Sequence, residues 1–366
     1  MKALPLTASQ FQKRLLAWFD LHGRKHLPWQ HNKTPYRVWI SEIMLQQTQV
    51  ATVIPYYERF MKQFPTLASL AKAHEDEVMR HFAGLGYYSR ARNLHRAARI
   101  IVEHHQGEFP HEIEDMKALP GIGQSTAGAI AAIAFNQSTT ILDGNVKRVL
   151  SRLHYVTEAI TDKKIEQELW AIAKYYTPNK RTADYTQAMM DLGATLCTPK
   201  KPSCDHCPFV TNCLSYKHQA VNEIPVKKIV AQLPVKQSTF LIIKQNQLVF
   251  LYKRPAKGIW GGLFSLPEIE GLQDQRNIQK FCKNNLQILP KTLQTLSPFR
   301  HTFTHFHLDI YPVLIEITEK SQQKITASLP YLWYNLRENL MVGCPKPVQI
   351  LLKRLPHANH SLLQIK

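Results

Sequence analysis

The 366 residues exceed what a single hydrophobic core usually supports, so at least two domains are expected. With 44% hydrophobic and 10% aromatic residues the chain can bury real cores, which excludes wholesale disorder. A formal net charge of +19 points to a polyanionic partner, nucleic acid first, because Lys and Arg contacts to phosphates release counterions; composition alone fits a merely soluble basic protein equally well.

Along the chain, Met1–Gln12 lacks an apolar signal core and a small-residue cleavage site. No apolar run reaches the roughly 18 residues of a membrane span, the longest being Ala127–Phe135. No membrane association is expected. A cytoplasmic, DNA-associated location in a bacterial cell follows, or a nuclear or organellar one otherwise. From Phe11 to Cys213 apolar residues recur at three and four positions, as in Trp39, Ile43, Val50 and in Val146, Val149, Leu150, Leu153, which predicts an all-α domain over residues 1–215. The stretch 216–235 carries Pro225, Pro234 and the basic pair Lys227 and Lys228 without a sustained period, and is expected to be a linker. Beyond it, Thr239–Ile243, Leu248–Tyr252 and Phe306–Ile315 have strand patterns, and Asn277–Asn285 a helical one, so residues 236–366 form an α+β domain. Residues 216–366 hold 20 Lys and Arg against 8 Asp and Glu, the more basic half.

The run Leu119-Pro120-Gly121-Ile122-Gly123 precedes a helix starting near Ser125. Its two glycines allow a tight turn with outward N–H groups, and the helix start adds free donors and a positive dipole end, together a phosphate-binding device. A Gly-x-Gly turn before a helix is common, so its weight comes from its neighbours. Asp143 stands before the predicted helix Asn145–Leu153, where the bland role is N-capping, and Lys147 and Arg148 follow on that helix. Cys197, Cys204, Cys207 and Cys213 have six, two and five residues between them. Four thiols in one loop suggest a metal site. A zinc site usually shows two paired knuckles, and only one C-x-x-C is present, so the spacing favours an iron–sulfur cluster while leaving zinc open.

Taken together, LPWQ (Leu27–Gln30), SEIMLQQTQV (Ser41–Val50), GLGYYSRARNL (Gly84–Leu94), LPGIGQSTAGAI, ILDGNVKRVL, the four cysteines and WGGLFSLPE (Trp260–Glu268) resemble the MutY family of adenine DNA glycosylases. That family lies within the helix-hairpin-helix glycosylases related to endonuclease III. The resemblance runs over nearly the whole chain. It implies a multi-domain protein: an all-α helix-hairpin-helix module with an iron–sulfur loop and DNA in its cleft, followed by an α+β Nudix-like domain. It also implies a 4Fe-4S cluster on the four cysteines, and as partner double-stranded DNA with adenine opposite 8-oxoguanine or guanine, bound by a monomer.

By motif match, Glu42 is the general acid at the purine N7, Asp143 stabilises the sugar cation, and Asn145 orients it. Glu42 lies between Ile40 and Ile43, where partial burial can raise its pKa; an arbitrary helix glutamate would simply be solvated. In the lyase relatives the hairpin carries a lysine that forms an imine; Ser125 cannot, which implies hydrolysis without strand cleavage. Gln47 and Tyr87 are candidates for filling the gap left by the flipped base, with Thr48 and Leu85 against the opposite base and Tyr88 as packing. Gly121, Gly123, Ser125, Lys147 and Arg148 complete the expected DNA surface. Trp29, Gln30 and Gln187 are expected to line the adenine pocket. The family's Phe-Ser-His probe of 8-oxoguanine matches Phe303, Thr304 and His305, with Thr in place of Ser. The Nudix metal-binding carboxylates are missing around Lys280–Asn285, which favours a DNA-reading domain. Two rivals remain: a pyrimidine-damage lyase, and a non-enzymatic iron–sulfur DNA binder.

Overall fold

The three- and four-residue apolar spacing of the first half folds into helices, and the alternating runs of the second half into a mixed sheet. A computed structural model describes residues 4–226, 232–323, 325 and 329–355. In chain order the helices are α1 (Ala8–His22), α2 (Pro35–Leu45), α3 (Val50–Gln63), α4 (Leu67–Lys72), α5 (Glu75–Phe82) and α6 (Ser89–His104). They continue with α7 (Ile113–Ala118), α8 (Gln124–Phe135), α9 (Gly144–His154), α10 (Lys163–Tyr176), α11 (Thr182–Thr195) and the short α12 (Leu214–Lys217). None is long and apolar enough to cross a membrane.

Two compact units result, residues 1–72 with 93–229 and residues 73–92 with 230–366. In the first, α8 is the central helix. Its residues Ala127 to Ile133 are all buried, as expected of a helix apolar on every side. Small residues let neighbours approach it: a Cβ on Gly128 would lie 2.5 Å from the Thr140 carbonyl oxygen. Likewise a Cβ on Gly193 of α11 would lie 2.6 Å from the Asn145 Cβ, so glycine there seats α11 against the start of α9.

The second unit holds β1 (Val235–Gln245), β2 (Leu248–Lys253), β3 (Phe264–Ser265), β4 (Glu268–Glu270), α13 (Gln275–Leu286), β5 (Thr292–Thr295) and β6 (Phe299–Thr302). After these come β7 (His307–Glu316), α14 (Glu319–Gln322), β8 (Tyr331–Asn335) and α15 (Lys346–Arg354). The sheet runs β3-β2-β1-β7-β5, with β4 also on β1, β6 on β7 and β8 on β2. Strands β1 and β7 are parallel in register from Val235 against His307 to Lys244 against Glu316, which needs a long crossover containing α13. The apolar stripe Ile278, Cys282, Leu286 of α13 packs on Leu241, Ile243, Phe250 and Ile315 of the sheet.

Two features differ from the sequence expectation. Residues 216–226 do not run free as a linker: Ala220 and Ile224 are buried, and the Ile224 carbonyl accepts from Arg152 Nε at 2.8 Å. Lys227 and Lys228 lie outside the described residues. In addition, residues 73–92 group with the sheet instead of the other helices. Lys253 pairs there with Asp76, Arg92 donates to the Gly261 carbonyl, and Gly343 comes so close to Met79 that a Cβ would lie 3.1 Å from its backbone. A period-based reading cannot see such a regrouping, because α5 has the same amphipathic pattern whichever core it covers.

Candidate active site

Thr34 starts α2 by accepting the Arg37 N–H, and Pro35 fits the first helical position, where an N–H has no partner in any case. The helix buries Tyr36, Val38, Trp39, Ile40, Ile43 and Met44, and so carries Glu42 into an apolar surrounding. Glu42 is half-buried as a residue, but its carboxyl end is enclosed, and no described residue donates a hydrogen bond to it. Burial pushes this carboxyl up to about 8, and the negative Asp143 adds to the rise. At neutral pH Glu42 therefore holds a proton it can give away.

Asp143 is the N-cap of α9, the local role that its place before the helix predicts. Its Oδ1 accepts from the Val146 N–H at 2.8 Å and its Oδ2 from Asn145 Nδ2 at 3.0 Å. Burial raises its pKa, while those hydrogen bonds and the Arg148 charge oppose the rise. Of the two acids, Asp143 has donors aimed at both oxygens and Glu42 has none among the described residues, so ionisation is favoured at Asp143 over Glu42. Asn145 is fixed in turn, its Oδ1 accepting from Arg148 Nη2 at 2.9 Å.

Arg148, expected from sequence at the DNA surface, is half-buried and makes this bond within the protein. Its guanidinium also donates to the carbonyls of Cys197 (2.7 Å) and Gly193 (2.6 Å), so it braces the start of α9 against α11 and the cysteine loop. Lys147 is likewise engaged, paired with Glu166 at 2.5 Å. Glu166, Gly193 and Cys197 lie 19, 45 and 49 positions from these cations, so their charge and local spacing alone do not reveal the engagement.

The hairpin adopts the expected turn. Gly121 has φ +81°, and Gly123 caps α8, leaving its N-terminal donors open. Ser125 Oγ accepts the Leu142 N–H at 3.1 Å and so ties the first turn of α8 to the residue preceding Asp143. Gln47 is exposed with φ +55° just past α2, and Thr48 is half-buried beside it. In the second unit, Tyr87 is exposed (42%) at φ +47°, between Gly86 at φ +73° and the buried Tyr88, whose hydroxyl accepts from Gly84 N. Leu85, expected at the opposite base, is buried at 7% exposure.

Trp29 is buried edge-on against Tyr57, with ring centroids 5.5 Å apart. Gln30 Nε2 donates to Gln187 Oε1, and Gln187 Nε2 donates to Asp191 Oδ1 at 2.8 Å. Asp191 is fully buried and bound three times by Arg24, through its backbone N–H, Nε and Nη2. Sequence reading missed Asp191 and Arg24; the i, i+4 spacing of Gln187 and Asp191 on one helix was the available signal.

Cys197, Cys204, Cys207 and Cys213 line one largely apolar cavity together with Val149, Leu192, Phe209 and Arg152. Among the described residues, no group of three or more His, Cys, Asp or Glu converges as a site for a single metal ion. Arg152, almost fully buried, points Nη1 at the Cys197 sulfur at 3.3 Å. Burial first, and then the neighbouring thiols, push Cys207 up to about 12.

In the second unit, β6 and β7 form a hairpin whose tip is Phe303–Phe306, closed by Phe303 N–H to the Phe306 carbonyl at 2.9 Å. Phe303 is half-buried, stacked on Phe306 (4.4 Å) with Trp260 at 5.2 Å and His301 at 4.7 Å, while Thr304 and His305 are exposed. No acidic residue lies on α13.

The model of the HhH-GPD superfamily of base excision DNA repair proteins matches residues 40–174, and that of the NUDIX domain matches residues 238–354. The adenine DNA glycosylase of Buchnera aphidicola subsp. Schizaphis graminum is 39% identical over 351 residues, 95% of this chain and 99% of the relative. That of Homo sapiens is 33% identical over 367 residues, 84% of this chain and 67% of the relative. A solved thermostable thymine-DNA glycosylase superposes with TM-score 0.51 at 26% identity, over 58% of this chain and 97% of its own. A non-covalent endonuclease III–DNA complex shares the fold, with TM-score 0.50 at 21% identity over 58% and 98%. The chain belongs to the HhH-GPD superfamily of base excision DNA repair proteins and, within it, to the adenine DNA glycosylases.

Proposed function

We propose that this protein is a monofunctional glycosylase that hydrolyses the bond between adenine and deoxyribose in DNA, where adenine faces 8-oxoguanine or guanine. The observation that carries the reading is the pair of carboxyls with split roles, Glu42 protonated and unpartnered, Asp143 hydrogen-bonded and charged. Glu42 gives its proton to the purine N7, so the electrons of the breaking C1′–N9 bond pass into a neutralised base. The positive sugar left behind faces the Asp143 carboxylate, held in place by the Val146 N–H and Asn145. Glu42, now ionised, takes a proton from the water that adds to C1′. Ser125 has no amine and its hydroxyl oxygen holds Leu142, so no imine forms and the strand stays intact.

The base must leave the stack to reach this site. The open donors at Gly121, Gly123 and the start of α8 suit a phosphate. Gln47 of the first unit and Tyr87 of the second are each exposed in left-handed backbone and suit wedges, while Thr48 and Leu85 are assigned to the opposite base; Leu85 reaches DNA only if its loop turns it outward. Trp29, Gln30 and Gln187 line the adenine pocket. Phe303, Thr304 and His305 probe 8-oxoguanine, a role supported by their position at a hairpin tip with the two polar members exposed. The catalytic module is residues 1–215, with 73–92 held by the Nudix-like domain, and the protein acts as a monomer in the bacterial cytoplasm. The thiols of Cys197, Cys204, Cys207 and Cys213, which line one cavity, would hold a 4Fe-4S cluster, since Cys thiolates are its usual ligands. Bound there, the cluster would supply a rigid tie for residues 197–213, and so for Arg148 and α9.

One assay tests the reading. Pure protein is incubated with duplexes carrying adenine opposite 8-oxoguanine, adenine opposite guanine, or an oxidised pyrimidine, and products are resolved with and without alkali. Adenine release with a nick only after alkali is expected. A direct nick identifies a lyase, and no release identifies a binding protein.

A further inference from the structure

We infer that Asp191 is a positioning residue that fixes the hydrogen-bond polarity of the Gln30 amide, so that the pocket accepts a 6-aminopurine and rejects a 6-oxopurine. The inference rests on the adenine pocket proposed above and deepens it.

Asp191 is fully buried on α11, with both oxygens filled: Oδ2 by the Arg24 N–H at 2.8 Å, and Oδ1 by Arg24 Nε at 2.9 Å, Arg24 Nη2 at 2.7 Å and Gln187 Nε2 at 2.8 Å. A carboxylate bonded to a guanidinium can only accept. Gln187 must therefore turn its amide nitrogen toward Asp191. Its oxygen then points the other way and can only accept, so Gln30 must present its own nitrogen there. Gln187 is buried at 5% exposure, and an amide reversed in that position would set oxygen against carboxylate. One charge thus sets two amides in series.

The relay ends at Gln30, half-exposed beside the buried Trp29. Gln30 Oε1 accepts no hydrogen bond among the described residues, and its nitrogen keeps a second hydrogen after the bond to Gln187. The free edge is an acceptor next to a donor. That pattern complements the edge an unpaired adenine exposes, an N6–H donor next to the N1 acceptor. Guanine and hypoxanthine carry the reverse, an O6 acceptor next to N1–H. A Gln30 amide free to rotate would fit either class of purine. With its polarity fixed, it fits one.

The test compares single-turnover rates of base release for adenine and for hypoxanthine opposite 8-oxoguanine in the wild-type protein, Gln187→Met and Asp191→Asn. Gln187→Met keeps the volume but cuts the relay, leaving Asp191 paired with Arg24. Asp191→Asn removes the charge at its source. The expected result is a fall of about 10- to 100-fold in the adenine-to-hypoxanthine rate ratio for both variants, since one bidentate base contact carries discrimination of that order. General damage to the fold lowers both rates together and leaves their ratio alone, which separates positioning from a structural role. A wild-type ratio retained in Gln187→Met, with the variant folded by its thermal transition, overturns the inference. Failure of the wild-type protein to release adenine at all would instead defeat the proposed function, so the two failures are distinct.

Discussion

Replacing Glu42 by Gln separates the proton from the shape of the side chain. The Glu42 carboxyl is raised from the ordinary 4.5 to about 8, because it is enclosed, lacks a donor and faces Asp143. Between those limits the folded protein binds a proton that the unfolded chain has released, so stability falls as pH rises from 4.5 through 8. The full shift corresponds to about 5 kcal/mol, and water entry and relaxation bring the expected effect to about 2–4 kcal/mol. Glu42→Gln carries no such penalty. Its stability should match the wild type near pH 5 and exceed it by about 2–4 kcal/mol at pH 9, a rise of about 4–16 °C in the thermal transition of the first unit. Adenine release should drop by a factor of about 10²–10⁴, the usual contribution of a general acid, with DNA affinity kept. Wild-type activity should itself decline above pH 8, as the acid ionises. Thermal scans at the two pH values and single-turnover assays give both numbers. A variant that releases adenine at the wild-type rate, or whose stability difference is the same at pH 5 and pH 9, refutes the assignment of a buried, protonated Glu42.

Asp143→Asn should lose most activity, because an amide cannot face the sugar cation with a full charge, and the N-cap bond to Val146 should survive, leaving the thermal transition within a few degrees; wild-type turnover would remove Asp143 from the mechanism. Gly193→Ala places a methyl 2.6 Å from the Asn145 Cβ, and should destabilise the first unit by about 1–3 kcal/mol and slow base release by shifting the start of α9; denaturation and activity that both match the wild type would refute that packing. Anaerobically purified protein should contain iron and sulfide with visible thiolate-to-iron absorption, whereas stoichiometric zinc without sulfide would eliminate the cluster. Changing Phe303, Thr304 and His305 together to Ala should reduce the preference for 8-oxoguanine over guanine opposite adenine, measured as relative affinity at fixed salt; an unchanged ratio would move that discrimination to Gln47, Thr48, Leu85 and Tyr87.

How far the sequence could be read depended on whether a feature is local. Helices α2, α8 and α9, the strands β1, β2 and β7, and the turn at Gly121 all lie where period, capping residues and glycines put them, because each is fixed by neighbours a few residues away. Long-range partners were not legible. Arg148 reads as a surface cation on a basic helix, yet it spends its donors on Asn145, Gly193 and Cys197, and only the fold brings residue 193 or 197 beside it. Asp191 reads as one more helical acid until Arg24, 167 positions away, closes on it. Thr304 marks the boundary between the two cases. Its place at the hairpin tip follows from the strands on either side, and its hydroxyl lies 3.4 Å from His305 Nδ1, a contact made by the polar group it shares with the family's serine. The added methyl lies on an exposed residue, where it meets solvent before it meets protein. The substitution is therefore cheap for the fold, and any cost must fall on the fit to the base. That locates the effect of Thr304 in the 8-oxoguanine-to-guanine ratio and not in stability: Thr304→Ser should leave the thermal transition within about 2 °C, since an exposed change of one methyl is worth less than about 0.5 kcal/mol, while altering the affinity ratio between the two duplexes. A stability change without a change in ratio would mean that the methyl packs in the Phe303 cluster and that the tip is core.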